Sequence, residues 1–359
     1  MALVGDASWL VVIPTHDHPS TIAHAAASVF DQGVQDFRLV IIGDGVGDDT
    51  RDVVADLCRG DRRVSFVDCP KAPGRNESAR HAVVSASEAP LITYLGDDDL
   101  FLHHHLESMQ DLLADHDFAH PAPVFVQPSG ELFAMPTDLA DPRCVRWHLH
   151  PGHNAVSLTG AAHTGDLYRR LPFGWRPAPQ GRWSDHYMLE QILSVEGVRL
   201  ATSPWATTVK LSADKRVGVE AVDRAQEIRS WSGRINSAGF REWWDAEVTD
   251  AVHQAAIDQL MRASELFDEL ADLRDRLAAE VPIDSGESAR SSTEDRRYRL
   301  RVDHEFEVLR SQHSTLIADH ARVIQAMDRI TGTRTWRLRN RLIGSRRVDP
   351  MVAGRSGTS

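Results

Sequence analysis

Thiols are scarce in this 359-residue chain: three cysteines, Cys58, Cys69 and Cys144, are too few and too irregularly spaced for a disulfide framework or a zinc site. Buried thiols in a reducing compartment are the expectation, and the cytoplasm fits. No apolar run reaches the roughly 20 residues of a membrane span, and the opening residues lack the basic region and long apolar core of a secretory leader. Any membrane contact is therefore expected to be peripheral, at the inner face of the cell membrane. Basic charge is also short: the net charge of -12 argues against a general nucleic-acid binder. Two phosphate-binding motifs are missing as well. No G-x-G-x-x-G follows the first strand and no G-x-x-x-x-G-K occurs, which excludes a Rossmann dinucleotide site and a P-loop.

The content that remains, 42% hydrophobic and 26% charged, is that of a globular protein large enough for one sizeable domain and an appendage. Apolar runs predict strands at Trp9 to Ile13, Phe37 to Ile42, Val64 to Val67 and from Leu91, with helices at about Ser20 to Gln32, Thr50 to Cys58 and Arg75 to Ser87. Strict alternation of strand and helix predicts a parallel sheet with right-handed crossovers. The fourth strand runs into Gly96-Asp97-Asp98-Asp99. Carboxylates at the C-terminal end of a parallel strand stand where ligands bind in open α/β sheets. Three adjacent ones repel, so water or a divalent cation is expected there, a bare acidic turn being the plain alternative. Asp44, ending the second strand among glycines, can accept a hydrogen bond from a base edge or can simply make a turn. Arg75, after Gly74, can reach a base or a phosphate.

Four ordered blocks resemble the family 2 glycosyltransferases of the GT-A fold: VVIPTHDHPSTIAHAAASVFDQ, LVIIGDGVGDDT, GRNESARHAVVSASEAPLITYLGDDDLF and GRWSDHYMLEQILSVEGVRLA, together spanning about Trp9 to Leu211. The resemblance implies a Rossmann-like, mostly parallel sheet flanked by helices. It implies that Pro14, Thr15, Asp44 and Arg75 hold the nucleotide base of a nucleoside-diphosphate sugar, UDP first among the nucleotides. Asp97 would face the ribose and Asp98, with Asp99, a Mn2+ or Mg2+ ion on the diphosphate. Two departures stand out: Gly43-Asp44 where the family usually has two acids, and Gly96 where its metal motif often begins with one. Which of the three aspartates touches the metal is left open.

Chemistry leads to the same division of labour. A departing nucleoside diphosphate gathers negative charge and needs a cation. An acceptor hydroxyl needs a base, placed on the opposite side of the sugar and hence in another segment. Asp185, in Gly181-Arg182-Trp183-Ser184-Asp185-His186-Tyr187, is the candidate base, or else an N-terminal cap or first-turn acid of the helix it opens. His163 and Lys210 are further candidates for acceptor or diphosphate contacts. His103-His104-His105 is expected to be a solvated first turn, because consecutive helical residues cannot all reach one ion. Trp147, Phe173, Trp175, Trp183 and Trp205 serve either an acceptor surface or an ordinary core.

The expected organisation is a catalytic domain over 1–215, a helical extension over 216–281, a linker over 282–293, a coiled-coil helix over 294–330 and a basic tail over 331–359. Leu266, Leu270, Leu273 and Leu277 predict an amphipathic helix. Val302, Phe306, Leu309, His313, Leu316, His320, Val323, Met327 and Ile330 keep the 4, 3 spacing of a seam, which predicts a homodimer or a helix folded back on its own chain. Six arginines around Trp336 predict contact with anionic lipid, a nucleic-acid contact or disorder being the alternatives. The function expected is sugar transfer to a glycan or glycolipid acceptor, inverting and metal-dependent, in surface polysaccharide or glycolipid synthesis. A nucleotidyltransferase of sugar phosphates and a catalytically silent sugar-nucleotide-binding scaffold are the alternatives.

Overall fold

The computed structural model describes residues 7–280, 304, 306–308, 310 and 311. Two compact units divide it, Met1–Val252 and His253–Ser359. The first unit opens with the alternation expected: β1 (Trp9–Thr15), α1 (Pro19–Phe30), β2 (Phe37–Asp44), α2 (Asp48–Gly60), β3 (Val64–Cys69), α3 (Glu77–Ser85) and β4 (Leu91–Tyr94). Next come β5 (Leu100–Phe101), α4 (His105–Leu113), β6 (Phe118–His120), the hairpin β7 (Val124–Val126) and β8 (Leu132–Ala134), α5 (Pro142–His148), β9 (Ala162–Thr164) and α6 (Gly165–Arg170). Further on are α7 (Ser184–Leu193), β10 (Leu200–Thr202), β11 (Thr208–Val209), a 3-10 turn (Ala213–Arg216), α8 (Ala221–Ile235) and α9 (Phe240–Glu280).

Seven strands form the main sheet in the order β10-β6-β9-β4-β1-β2-β3, every neighbouring pair parallel except those of β9, which runs antiparallel to β4 and β6. This is the mostly parallel, helix-flanked sheet that the family resemblance implies. β1 lies at its centre and reads as an uninterrupted apolar run because both its faces are covered, one by Trp9, Val11 and Ile13 packing under α1, the other by Leu10 and Val12. The strand continues past the proline expected to stop it. Its pairing with β4 ends at Val12 while that with β2 runs on to Thr15, so Pro14 sits where β1 has one neighbour and a missing N–H is tolerated. α1 begins at Pro19, which suits a first helical turn. α2 buries Thr50 and Val54 one turn apart and places Asp48 and Asp49 at its positive end.

One expectation is corrected on α4. His103 is exposed, but His105 is fully buried, stacked 3.9 Å from the Phe101 ring and hydrogen-bonded through Nδ1 to Thr207 Oγ1 at 2.8 Å. The helix starts at His105, so this third histidine faces the sheet. In the second unit Phe306 stacks on Phe267 at 5.4 Å and lies under the Arg274 guanidinium at 4.2 Å. This is a contact within one chain, of the folded-back kind. Leu266 and Leu270 are exposed. The side chains of Leu273 and Leu277, the remaining seam positions from Leu309 onward together with Val302, the linker and the basic tail lie outside the described residues. Among the described residues no helix is long and apolar enough to cross a membrane.

Buried histidines make the first unit sensitive to acid. Burial pushes His105 down to about 3, and His120 and His163 down to about 4. Their folded values lie below the unfolded value of about 6.5, so the unfolded chain takes up protons first. Stability is therefore complete above about 6.5 and is lost as pH falls toward 4, by about 2 kcal/mol for each such group at pH 5. Thermal melts at pH 7.5 and pH 5 should show a marked drop in the transition of the first unit, recovered in part by His120→Asn. Equal melting temperatures would contradict the burial of these rings as neutral groups.

Candidate active site

Strand order reverses at β1, with β2 and β3 on one side and β4 on the other, and in open α/β sheets the crevice that takes a ligand lies past the carboxyl ends of the strands at such a point. β1 delivers Pro14 and Thr15 to that edge, and Thr15 stands opposite Gly43 of β2. Thr15 is 3% exposed, yet its hydroxyl has no hydrogen-bond partner among the described residues. A buried hydroxyl without a partner is uncommon, and a ligand at the edge would supply one. Asp44, also buried, accepts hydrogen bonds from Lys71 Nζ at 2.5 Å and the Ala72 amide at 2.7 Å. That close approach depends on Gly45, at φ +68°, where a Cβ would lie 2.5 Å from Lys71 Cβ.

The Arg75 side chain is exposed, and its carbonyl accepts from Arg80 at 2.6 Å. Arg80 is the basic residue that goes inside, 2% exposed, stacked 4.6 Å over the Trp175 ring, with Nε lacking a partner among the described residues. Burial pushes its guanidinium below the usual range against the pull of Glu77, Tyr94 and Asp185. It lies three to four residues from Glu77 and Val84 on the buried face of α3, which is the signal by which the sequence could have marked it.

Each aspartate of the triplet has a basic partner of its own. Asp97 meets His18 Nδ1 at 2.8 Å, and this hydrogen bond raises the His18 value. Asp98 is ion-paired with Arg224 of α8. Asp99, fully buried, accepts from Lys210 Nζ at 2.8 Å, from the Leu211 amide at 2.7 Å and from the Thr159 hydroxyl. The reach of Lys210 follows from sheet register: Val209 of β11 pairs with Leu100 of β5, which sets Lys210 beside Asp99. Burial works against the Lys210 ammonium, but Asp99 and Asp98 outweigh it and hold the amine above its ordinary value. Gly96 has no room for an acid, because a Cβ there would lie 2.5 Å from Asp99 Oδ2.

Burial still works against the ionised form of Asp98. Burial and the neighbouring Asp99 push Asp98 up to about 7, although Lys210 and Arg224 pull the other way. Among the described residues no three His, Cys, Asp or Glu side chains converge as a ready-made metal cage. An ion shared with a diphosphate needs only one or two protein carboxylates. Asp98, with Asp97 beside it, meets that number, and Asp99 with its three donors reads as the support beneath them.

Asp185 lies in the first turn of α7, where Trp183 is the N-cap residue, so it is a first-turn acid and not the cap. It is half-buried, accepts from the His186 amide at 2.8 Å and lines a cavity of 30 Å³ with Tyr94, His163 and Trp175. Its charge acts on both Lys210 and Arg80 and favours the charged form of each. His163 is core: it donates to the Thr164 carbonyl at 2.9 Å and its Nε2 is 2.9 Å from the Tyr94 hydroxyl, which also takes the Trp175 indole N–H at 2.9 Å. Trp175 is buried, whereas Trp147, Phe173, Trp183 and Trp205 are exposed.

Comparison with known proteins bears directly on this edge. Residues 10–163 match the family described as Glycosyl transferase family 2. An uncharacterized glycosyltransferase of Rickettsia bellii is 27% identical over 32% of this chain and 16% of its own length. A GalNAc(5)-diNAcBac-PP-undecaprenol beta-1,3-glucosyltransferase of Campylobacter jejuni is 28% identical over 31% of this chain and 35% of its own. The chain thus matches well under half the length of either relative. Among solved structures, S. aureus TarS 1-349 in complex with UDP has a TM-score of 0.45 at 13% identity, covering 69% of this chain and 71% of that one. A mannosyltransferase from Pyrobaculum calidifontis in complex with GDP-Man and Mn2+ has a TM-score of 0.44 at 15% identity, covering 88% and 86%. Thr15, Asp44, Arg80 and the aspartate triplet all fall inside the matched segment, and Asp185, Lys210 and Arg224 beyond it. The segment that builds this sheet edge is thus similar in sequence to the family 2 glycosyltransferases.

Proposed function

We propose that this domain transfers a sugar from a nucleoside diphosphate to an acceptor hydroxyl with inversion at the anomeric carbon. What supports the proposal is a buried aspartate triplet at the carboxyl ends of the parallel strands together with a separate half-buried carboxylate, Asp185, close enough for its charge to act on Lys210 and Arg80. Thr15 and Asp44 would hold the base, with Arg75 at its outer rim. Asp97 would face the ribose, and Asp97 and Asp98 would hold Mn2+ or Mg2+ on the diphosphate, with Asp99 fixing the turn that presents them. That ion, when bound, neutralises charge on the departing diphosphate. Asp185 would accept the proton of the attacking hydroxyl.

The acceptor class rests on the Campylobacter relative, whose name describes a glucosyltransferase acting on an undecaprenol-diphosphate-linked glycan. A lipid-linked or polysaccharide acceptor agrees with the exposed Trp183, two residues before Asp185. The basic segment from Arg334 to Arg347 would bring the protein to an anionic membrane face, and the seam from Val302 to Ile330 would pair two copies only in exchange for the contact that Phe306 makes with Phe267 within one chain. Vesicle sedimentation and light scattering of a chain cut before Thr331 test both.

Incubation with UDP-, GDP- and dTDP-sugars, Mn2+ and a hydroxyl acceptor decides the reaction. Free nucleoside diphosphate released from one donor is the result expected. Pyrophosphate from a sugar phosphate and nucleoside triphosphate would replace this reading with nucleotidyl transfer, and binding without turnover would make the domain a scaffold.

A further inference from the structure

Arg224 reaches Asp98 from 126 residues away and is not a wandering surface side chain. Its side chain is 18% exposed and that of Asp98 11%. α8 is held in register by its next turn: Glu227 takes Arg216 Nε at 2.7 Å and its terminal nitrogen at 2.6 Å, while Arg216, itself buried, donates to the Val126 carbonyl at 3.2 Å. Ile228, Trp231 and Ile235 bury the same face. Arg224 is thus presented to the crevice by a fixed helix whose anchors are independent of Asp98. A guanidinium on this carboxylate and a divalent ion on the same carboxylate repel each other, so the two occupants compete for it.

We propose that Arg224 is the internal cation of the donor site: it holds Asp98 while the crevice is empty, yields it to the divalent ion that arrives with the sugar nucleotide, and then pairs with the diphosphate. This rests on the transferase reading above. α8 belongs to the first unit and lies beyond the segment that matches the family. The arrangement makes the metal-free site electrically quiet and turns one positive charge toward the leaving group only when donor and ion are both present.

Titration of the full chain with Mn2+ alone, followed by the electron paramagnetic resonance signal of free Mn2+, reads the competition without catalysis. A site held by its own cation nine-tenths of the time binds the ion about tenfold more weakly, so Arg224→Gln should raise Mn2+ affinity by about that factor. Arg224→Lys, which keeps the charge, should stay near the unmodified protein. With Mn2+ saturating, the same Gln variant should bind UDP or GDP about tenfold more weakly, because one charge-assisted contact to the diphosphate is gone. These opposite signs cannot come from general damage to the fold, which weakens both. Mn2+ affinity that is unchanged or lower in Arg224→Gln, while the nucleotide still binds, would overturn the role of Arg224 alone. Mn2+ binding with no affinity for any nucleoside diphosphate would overturn the transferase reading, and no Mn2+ binding in any variant would overturn the competition.

Discussion

Asp185→Asn should lower turnover by a factor of roughly 10² or more while leaving nucleotide affinity within about twofold, as expected for loss of a general base. The asparagine keeps the shape of the side chain and still accepts the His186 amide, which Asp185 does at 2.8 Å, so the start of α7 is preserved. Trp183, not Asp185, is the N-cap residue, and helix stability should change little. What disappears is the carboxylate proposed to accept the proton. Steady-state kinetics with the active donor, paired with a calorimetric titration of the nucleoside diphosphate, separates the two quantities. Undiminished turnover would reduce Asp185 to a first-turn acid, and a parallel loss of affinity would make it a binding residue.

The largest effect on stability is expected at Asp99. This carboxylate is fully buried and serves Lys210, the Leu211 amide and the Thr159 hydroxyl at once. Asp99→Ala would strand a buried ammonium, and breaking one partner of such a pair costs about 3–5 kcal/mol. For a unit of this size that corresponds to a fall in melting temperature of roughly 10 °C. Adding Lys210→Met should recover part of the loss, since an apolar replacement of both partners removes the stranded charge. Recovery stays incomplete because the Leu211 amide and Thr159 hydroxyl keep no acceptor. A single Asp99→Ala variant that melts within a degree or two of the unmodified protein would contradict the support role drawn for this residue.

The alternation from β1 to β4 is legible because each strand there is a short apolar run bounded by proline, glycine or acid, and each helix is amphipathic. Legibility declines after Leu100. β6, β9 and β10 are three residues each, too short for a period to show, and the antiparallel β9 breaks the expectation of one strand direction. The site follows the same division. Thr15, Asp44 and the triplet were visible as residues at the carboxyl ends of strands, where ligand chemistry is expected. Their partners were not. His18 lies 79 residues from Asp97, Lys210 111 from Asp99 and Arg224 126 from Asp98, and no local pattern links residues so far apart. Three aspartates in a row therefore read as charge awaiting a metal, when each already has a basic neighbour. Arg75 drew notice through the glycine before it, whereas Arg80 is the arginine that the buried face of α3 turns inward.

That the crevice holds a nucleoside diphosphate through a cation on Asp98 is tested most directly by one calorimetric titration. UDP and GDP are titrated into the unmodified protein and into Asp98→Asn, each with and without Mn2+. The expected result is that one nucleotide binds the unmodified protein at least tenfold more tightly with Mn2+, and that this gain vanishes in Asp98→Asn at an unaltered melting temperature. Equal affinity with and without Mn2+ in the unmodified protein, or the same gain in Asp98→Asn, would contradict it.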